Sequence, residues 1–262
     1  MVKFDFKNKL VLVLASSKGI GFEIAKQFYL SNAKVIICSR NLSNLNKAKK
    51  KISNIGSLQN IQFLQTDLSK TSEIDKLFSK IRRKYNKSID ILINNTGGPD
   101  PKKITQTTKK DWEYALNNNL KSFIHTSLKV LPDMKKKKWG RIVNLTSTTA
   151  KEPAVGMVLS NVSRAGVLAF SKTLSREIES EGVTINSILT GAVLTDRLKE
   201  LIIKKNRNYK KRLKQISNSI PVKHIASTIE FAQLVLFLCS ENASYVNGAA
   251  ITIDGGNSKT IF

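Results

Sequence analysis

Five apolar residues in succession, Leu10 to Leu14, run directly into Ala15-Ser-Ser-Lys-Gly-Ile-Gly21 and then into a helical stretch that ends near Leu30. A strand with no polar alternation has to be buried on both faces, so it belongs inside a parallel sheet covered by helices on either side. The pattern recurs. Lys34–Cys38, Ile61–Gln65, Asp90–Ile93, Arg141–Leu145, Val183–Leu189 and Ala250–Ile253 read as further strands. Helical spacing of apolar residues runs over Leu42–Ile55, Glu73–Tyr85, Lys109–Met134, Gly156–Glu181 and Thr228–Ser240. Pro132 is expected to disturb the end of its helix, and Gly182 to cap the one before it. Alternation at this spacing predicts an α/β fold, a single doubly wound domain with a parallel sheet of about seven strands. No repeat, linker or low-complexity stretch divides residues 1–262.

The turn between the first strand and helix suits a nucleotide. Glycines let backbone approach a pyrophosphate, and the helix N-terminus adds free N–H groups and a favourable dipole. Ser17, Lys18, Gly19, Ile20 and Gly21 are the residues that would make that approach. The second strand ends in Cys38-Ser39-Arg40. An acidic residue there would hold both ribose hydroxyls; Arg40 instead offers a guanidinium fork for a 2′-phosphate, and Lys18 adds a second positive charge. The cofactor expected is NADP(H).

These features, with Asp67-Leu68 after the third strand, Asn94-Asn95-Thr96-Gly97 after the fourth, Asn119, Gly140-Arg-Ile-Val-Asn144, Ser147, Asn186, Gly191, Thr195 and Asp254-Gly-Gly256, extend from Leu10 to Gly256. Together they resemble the short-chain dehydrogenase/reductase family, near its 3-oxoacyl-carrier-protein-reductase-like branch. The resemblance implies a Rossmann-type fold and assigns roles. Asp67 and Leu68 would meet adenine. Asn94 and Gly97 would line the adenosine ribose, and Gly191, Val193 and Thr195 the nicotinamide side. It also implies that Ser147 hydrogen-bonds a substrate carbonyl and that Asn119 holds a relay water.

Leu14 and Ala15 stand where the family's T-G-x-x-x-G-x-G opens, and Thr190 stands where it has Pro. A larger departure follows Ser147. The family places a Tyr thirteen residues on and a Lys four beyond that; here those positions are Ser160 and Arg164. A Tyr, with a pKa of ~10, is brought into acid–base range by a nearby ammonium. A Ser hydroxyl is a far weaker acid and reaches less far. Arg stays protonated, so Arg164 is expected to hold ribose hydroxyls rather than pass a proton. Tyr114 and Tyr209 are the tyrosines that folding could bring in as a substitute. The leading expectation is an NADP(H)-dependent oxidoreductase acting on a carbonyl or alcohol through Asn119, Ser147, Ser160 and Arg164. The alternative is an NADP(H)-binding protein of impaired catalysis, acting as a sensor or scaffold.

Charge adds a separate question. Lys and Arg number 44 against 19 acidic residues, a formal +25. Much of it crowds after the sixth strand, in residues 194–223, where the family has its substrate lid. Arg197, Lys199, Lys204, Lys205, Arg207, Lys210, Lys211, Arg212 and Lys214 lie above apolar stripes Leu194-Leu198-Leu201 and Tyr209-Leu213-Ile216-Ile220. Two short helices are expected there, either simply solvated or steering an anionic substrate. No nucleic-acid motif accompanies the charge. Cys38 and Cys239 lie in apolar runs, and His125 and His224 are too isolated for a metal site. No apolar run reaches the ~18 residues of a membrane span. The N-terminal residues lack a signal-peptide core. A cytoplasmic homotetramer or homodimer is expected.

Overall fold

Seven strands form one sheet, all parallel: β1 (Leu10–Val13), β2 (Lys34–Ser39), β3 (Ile61–Gln65), β4 (Ile91–Asn94), β5 (Gly140–Ser147), β6 (Val183–Thr190) and β7 (Ala250–Ile253), in the order β3-β2-β1-β4-β5-β6-β7. The computed structural model describes residues 4–178, 182–205 and 208–261. Arg207, the side chains of Lys204 and Lys205, and the expected helix end at Glu181 lie outside them. Strand order reverses between β1 and β4, whose registers on either side of Val11 are Val35 and Ile91. Ligands of such sheets bind at the carboxyl ends of the strands beside this reversal.

Period-two alternation sorts β1 between two cores. Val11 and Val13 join Phe22, Ile24 and Phe28 of α1 (Gly19–Leu30), Leu45 and Ile52 of α2 (Leu42–Ser53), and Phe231 and Val235 of α9 (Thr228–Cys239). Leu10, Leu12 and Leu14 join Ile74 and Leu77 of α3 (Thr71–Tyr85), Val130 and Met134 of α5 (Ser122–Lys137), and Leu174 of α6 (Val158–Glu177). Each such fully buried side chain contributes about 1.5–3 kcal/mol. The two thiols divide likewise, Cys239 in the first core and Cys38 in the second. Burial pushes the Cys38 thiol up to about 12, and that of Cys239 up as well.

Three expectations need correction. The helix read over Lys109–Met134 is α4 (Lys109–Leu116), a π turn over Asn117–Lys121, and then α5. Pro132 lies inside α5, which continues to Lys137 and ends at Lys138 in the left-handed region (φ 52). The ring removes a single backbone donor, and the fully buried Met134 beyond it anchors the last turn. Gly182 has φ 75, but α6 ends at Glu177 with Ile178 as its cap, so this glycine forms the entry to β6. Its carbonyl accepts from Arg141 Nη1 at 2.7 Å and from Gly140 N at 3.1 Å. After β6 come α7 (Asp196–Lys205) and α8 (Tyr209–Ser219), which contact each other, with Leu194 left exposed and no residue of α8 buried. Among the described residues no helix is long and apolar enough to cross a membrane.

Candidate active site

The turn after β1 presents an uncapped helix. Lys18, the residue before α1, is extended, with no side-chain cap, and the first turn of α1 holds no acid. Its N–H groups are therefore left to an outside acceptor. Gly19 has φ 60. A Cβ on Gly21 would lie 2.6 Å from Asn95 Nδ2 and 2.9 Å from Ala15 O, so only glycine permits this packing. Asn95 Nδ2 donates to Leu14 O (3.2 Å) and Ala15 O (3.1 Å), pinning the turn to the end of β4. Ala15 has φ 44, where a Cβ costs about 1–2 kcal/mol.

One cavity opens beside this turn and another beyond the end of β2. The first, about 380 Å³, is lined by Ser17, Lys18, Asn44, Lys47, Lys51 and Asp196. The other, about 630 Å³, is lined by Arg40, Gln65, Thr66, Asp67 and Lys70. Arg40 Nη1 donates to the Tyr114 hydroxyl at 2.5 Å, and its guanidinium lies 6.0 Å from the ring centroid. Tyr114 thus steadies the cation at the end of β2. Lys18 faces Glu200 of α7 at 3.7 Å, both about half exposed. The uncapped N-terminus of α1 suits a pyrophosphate, while Lys18 and Arg40 line separate cavities that also hold carboxylates, Asp196 in the first and Asp67 and Glu73 in the second.

Other expected residues are placed less simply. The Asp67 carboxylate accepts from Ser69 N (3.0 Å) and Ser69 Oγ (2.8 Å), fixing the turn before α3, while Leu68 is buried. Asn94 requires a correction. Its side chain is fully buried and points into the sheet's packing, where Nδ2 donates to Ser127 Oγ (3.0 Å) and Asn144 Oδ1 (2.7 Å) and Oδ1 accepts from Thr126 Oγ1 (2.7 Å).

Asn119 lies in the π turn, fully buried. Its Nδ2 donates to Thr96 Oγ1 (2.9 Å) and Gly97 O (3.0 Å). Arg164, 5% exposed, sends Nη1 to Leu145 O (2.6 Å) and Nη2 to Thr96 O and Oγ1 (3.4 Å each), with its guanidinium 5.6 Å from the Phe123 ring centroid. No carboxylate among the described residues pairs with it. Burial alone lowers it to about 10, so it remains a cation at neutral pH. Thr96 is the hinge of this arrangement, since one hydroxyl accepts from both Asn119 and Arg164.

Ser147 ends β5, and Ser160 sits in the first turn of α6. Thr149 joins them: its N–H and its hydroxyl donate to Ser147 Oγ at 3.2 and 3.1 Å, and its Oγ1 lies 3.5 Å from Ser160 Oγ. Sequence reasoning missed Thr149; the only signal was a hydroxyl two residues beyond Ser147. After β6, a Cβ on Gly191 would lie 2.5 Å from that of Asp254, so the two loops touch. Thr195 Oγ1 accepts from Leu198 N (3.2 Å) at the start of α7 and donates to Val193 O (3.3 Å). Arg197 Nη2 donates to Pro99 O (3.2 Å), tying α7 to the loop after β4. Tyr209 carries Lys199 over its ring at 5.9 Å, in the α7–α8 contact.

The sequence profile described as enoyl-(acyl carrier protein) reductase matches residues 14–258. The 3-oxoacyl-[acyl-carrier-protein] reductase of Buchnera aphidicola is 32% identical over 254 residues, covering 97% of this chain and 99% of that protein. The chain belongs to the short-chain dehydrogenase/reductase family. A solved structure of YwfH, described as an NADPH-dependent reductase of bacilysin biosynthesis, superposes with a TM-score of 0.91 at 29% identity, over 97% of this chain and 99% of that one. The L-sorbose reductase of Gluconobacter frateurii, solved with NADPH and L-sorbose, gives 0.90 at 26% identity, over 99% of this chain and 100% of that one. In this chain Ala15 lies in a left-handed turn, and the Arg164 cation is held by the neutral oxygens of Leu145 and Thr96.

Proposed function

We propose that the protein is an NADP(H)-dependent oxidoreductase that interconverts a carbonyl and an alcohol. A 3-oxoacyl thioester is the first substrate class to try, given the relatives. The observation that supports the cofactor half is the uncapped α1 N-terminus, with Lys18 beside it and Arg40 at the end of β2. NADPH, when bound, supplies a hydride. Ser17 to Gly21 orient the pyrophosphate. Lys18 and Arg40 meet the 2′-phosphate. Asp67 and Leu68 border adenine, and Thr96 and Gly97 border the adenosine ribose. Gly191, Val193 and Thr195 position the nicotinamide end. Ser147 donates a hydrogen bond to the carbonyl oxygen, Asn119 fixes the loop that carries Thr96, and Arg164 places a positive charge behind the site. Residues 194–223 form the lid, and its basic outer face favours an anionic substrate.

Titration with NADPH and NADH at ~0.1 M salt tests this, because lower salt exaggerates charge effects. NADPH should bind more tightly, and Arg40→Asp should abolish or reverse the preference. Equal affinities in the unaltered protein would sink the assignment. A second reading, an NADP(H)-binding protein without turnover, is favoured by one observation: a Ser hydroxyl is a very weak acid, and Ser160 is one. Reduction of a 3-oxoacyl thioester under single-turnover conditions separates the two. Loss of that reduction in Ser147→Ala supports the enzyme, whereas nucleotide binding with no hydride transfer supports the alternative.

A further inference from the structure

We propose that Thr149 is the central link of a proton path, running from Ser160 through Thr149 and Ser147 to the substrate oxygen. This rests on the oxidoreductase reading above. The direction follows from the hydrogen-bond inventory, because a hydroxyl has one hydrogen and two acceptor positions. Ser147 Oγ accepts from both the N–H and the hydroxyl of Thr149, at 3.2 and 3.1 Å. Its own hydrogen is therefore left to point at a carbonyl. Thr149, having donated to Ser147, has only acceptor positions left toward Ser160 Oγ, 3.5 Å away. Ser160 then donates to Thr149. All three hydroxyls point one way. The last contact is long for a resting O–H···O bond, and such bonds commonly tighten when substrate binds.

The step balances without a protein acid. The carbonyl carbon gains the hydride and its C=O π pair moves to oxygen. That oxygen takes the proton of Ser147, which takes that of Thr149, which takes that of Ser160. A water reaching Ser160, which is 5% exposed, restores it and leaves hydroxide to the buffer. No hydroxyl has to stay ionised, so ordinary Ser and Thr acidity suffices where a single acid would fail. Thr149 acts through Ser147 and is a positioning residue.

The test uses the NADPH-loaded protein and two acceptors. Acetoacetyl-N-acetylcysteamine thioester becomes a strongly basic alkoxide that needs its proton. 9,10-Phenanthrenequinone becomes an alkoxide beside a second carbonyl, which is less basic and depends less on prompt protonation. Thr149→Val keeps the backbone N–H that braces Ser147 and nearly the same volume. It should lower kcat on the thioester by about 100-fold or more, the range of a lost proton donor. KM and the NADPH dissociation constant should change little, the solvent isotope effect on kcat should rise, and quinone reduction should fall far less. Thr149→Ser should restore the thioester reaction to within about threefold. If Thr149→Val fails to fold, Ser160→Ala takes its place, with the same contrast between acceptors expected. Equal losses on both acceptors, or none on the thioester, would overturn the path while leaving the oxidoreductase reading intact. An unaltered protein that binds NADPH and reduces neither acceptor would overturn both.

Discussion

The guanidinium of Arg164 meets the neutral oxygens of Leu145 and Thr96 and the Phe123 ring, so hydrogen bonds and a ring face rather than an opposite charge offset its burial. That makes the Thr96 hydroxyl, which serves Asn119 as well, a sensitive point. Thr96→Val should lower stability by about 1–3 kcal/mol in urea unfolding, because it strands buried donors. Ala15 offers the opposite case. At φ 44 its methyl is a liability, and Ala15→Gly should raise stability by about 0.5–1 kcal/mol once the greater freedom of the unfolded glycine is subtracted. Ala15→Val should lower it. Which residues reach the site was only partly legible. Lys18 lies at the start of α1 and Arg40 just past the end of β2, where a turn and a strand end put them. The placements of Asn94 and Thr149 were not legible. A residue at the last position of a strand faces core or cleft according to a single step of the pleat, and Thr149 lies in a short 3₁₀ turn with no periodicity to read.

Among the helices, α7 and α9 carry charges whose effects can be measured separately. Glu200 of α7 lies 3.7 Å from Lys18 and competes with any phosphate for it. Exposed pairs are weak, so Glu200→Gln should tighten NADPH binding only about two- to fivefold at moderate salt, with less change for NADH. At the start of α9, Ser227 and Glu230 cap each other: Ser227 Oγ accepts from Glu230 N (3.2 Å), and Glu230 Oε2 accepts from Ser227 N (2.7 Å). Those bonds to Ser227, then His224, hold the Glu230 carboxyl down to about 2. Its contribution is thus complete above the ordinary value of 4.5 and is lost as pH falls toward 2. His224 is raised by the same contact, so its share is present below 6.5 and fades as pH climbs through its folded value. Ser227→Ala should cost about 1 kcal/mol near neutrality and flatten the acid limb of a stability–pH curve. Helix existence was readable from apolar spacing at most of these places. The break at Asn117–Lys121 was not, because a π turn changes hydrogen bonding without interrupting the pattern of apolar residues.

Across the whole molecule, the architecture was the most legible level, since strands buried on both faces must read as apolar runs and short links force the helices between them. Assembly is a separate matter. Leu128 of α5 and Val162 of α6 are about half exposed, and β7 lies at the edge of the sheet. Exposed apolar residues on neighbouring helices suit a contact between copies, and we expect a homotetramer or homodimer by light scattering at micromolar concentration. Leu128→Glu with Val162→Glu should reduce the mass; a monomeric mass for the unaltered protein would refute the expectation. The two thiols have a practical consequence. Cys38 and Cys239 lie on opposite sides of the sheet, fully buried and held as thiols far above neutral pH. A disulfide-exchange reagent should leave both untouched until the layer over each one lifts. Without an engineered probe, the chain therefore carries two stopwatches, one for each half of its interior. Simultaneous labelling would mean that the halves open as one unit, and staggered labelling would reveal which opens first.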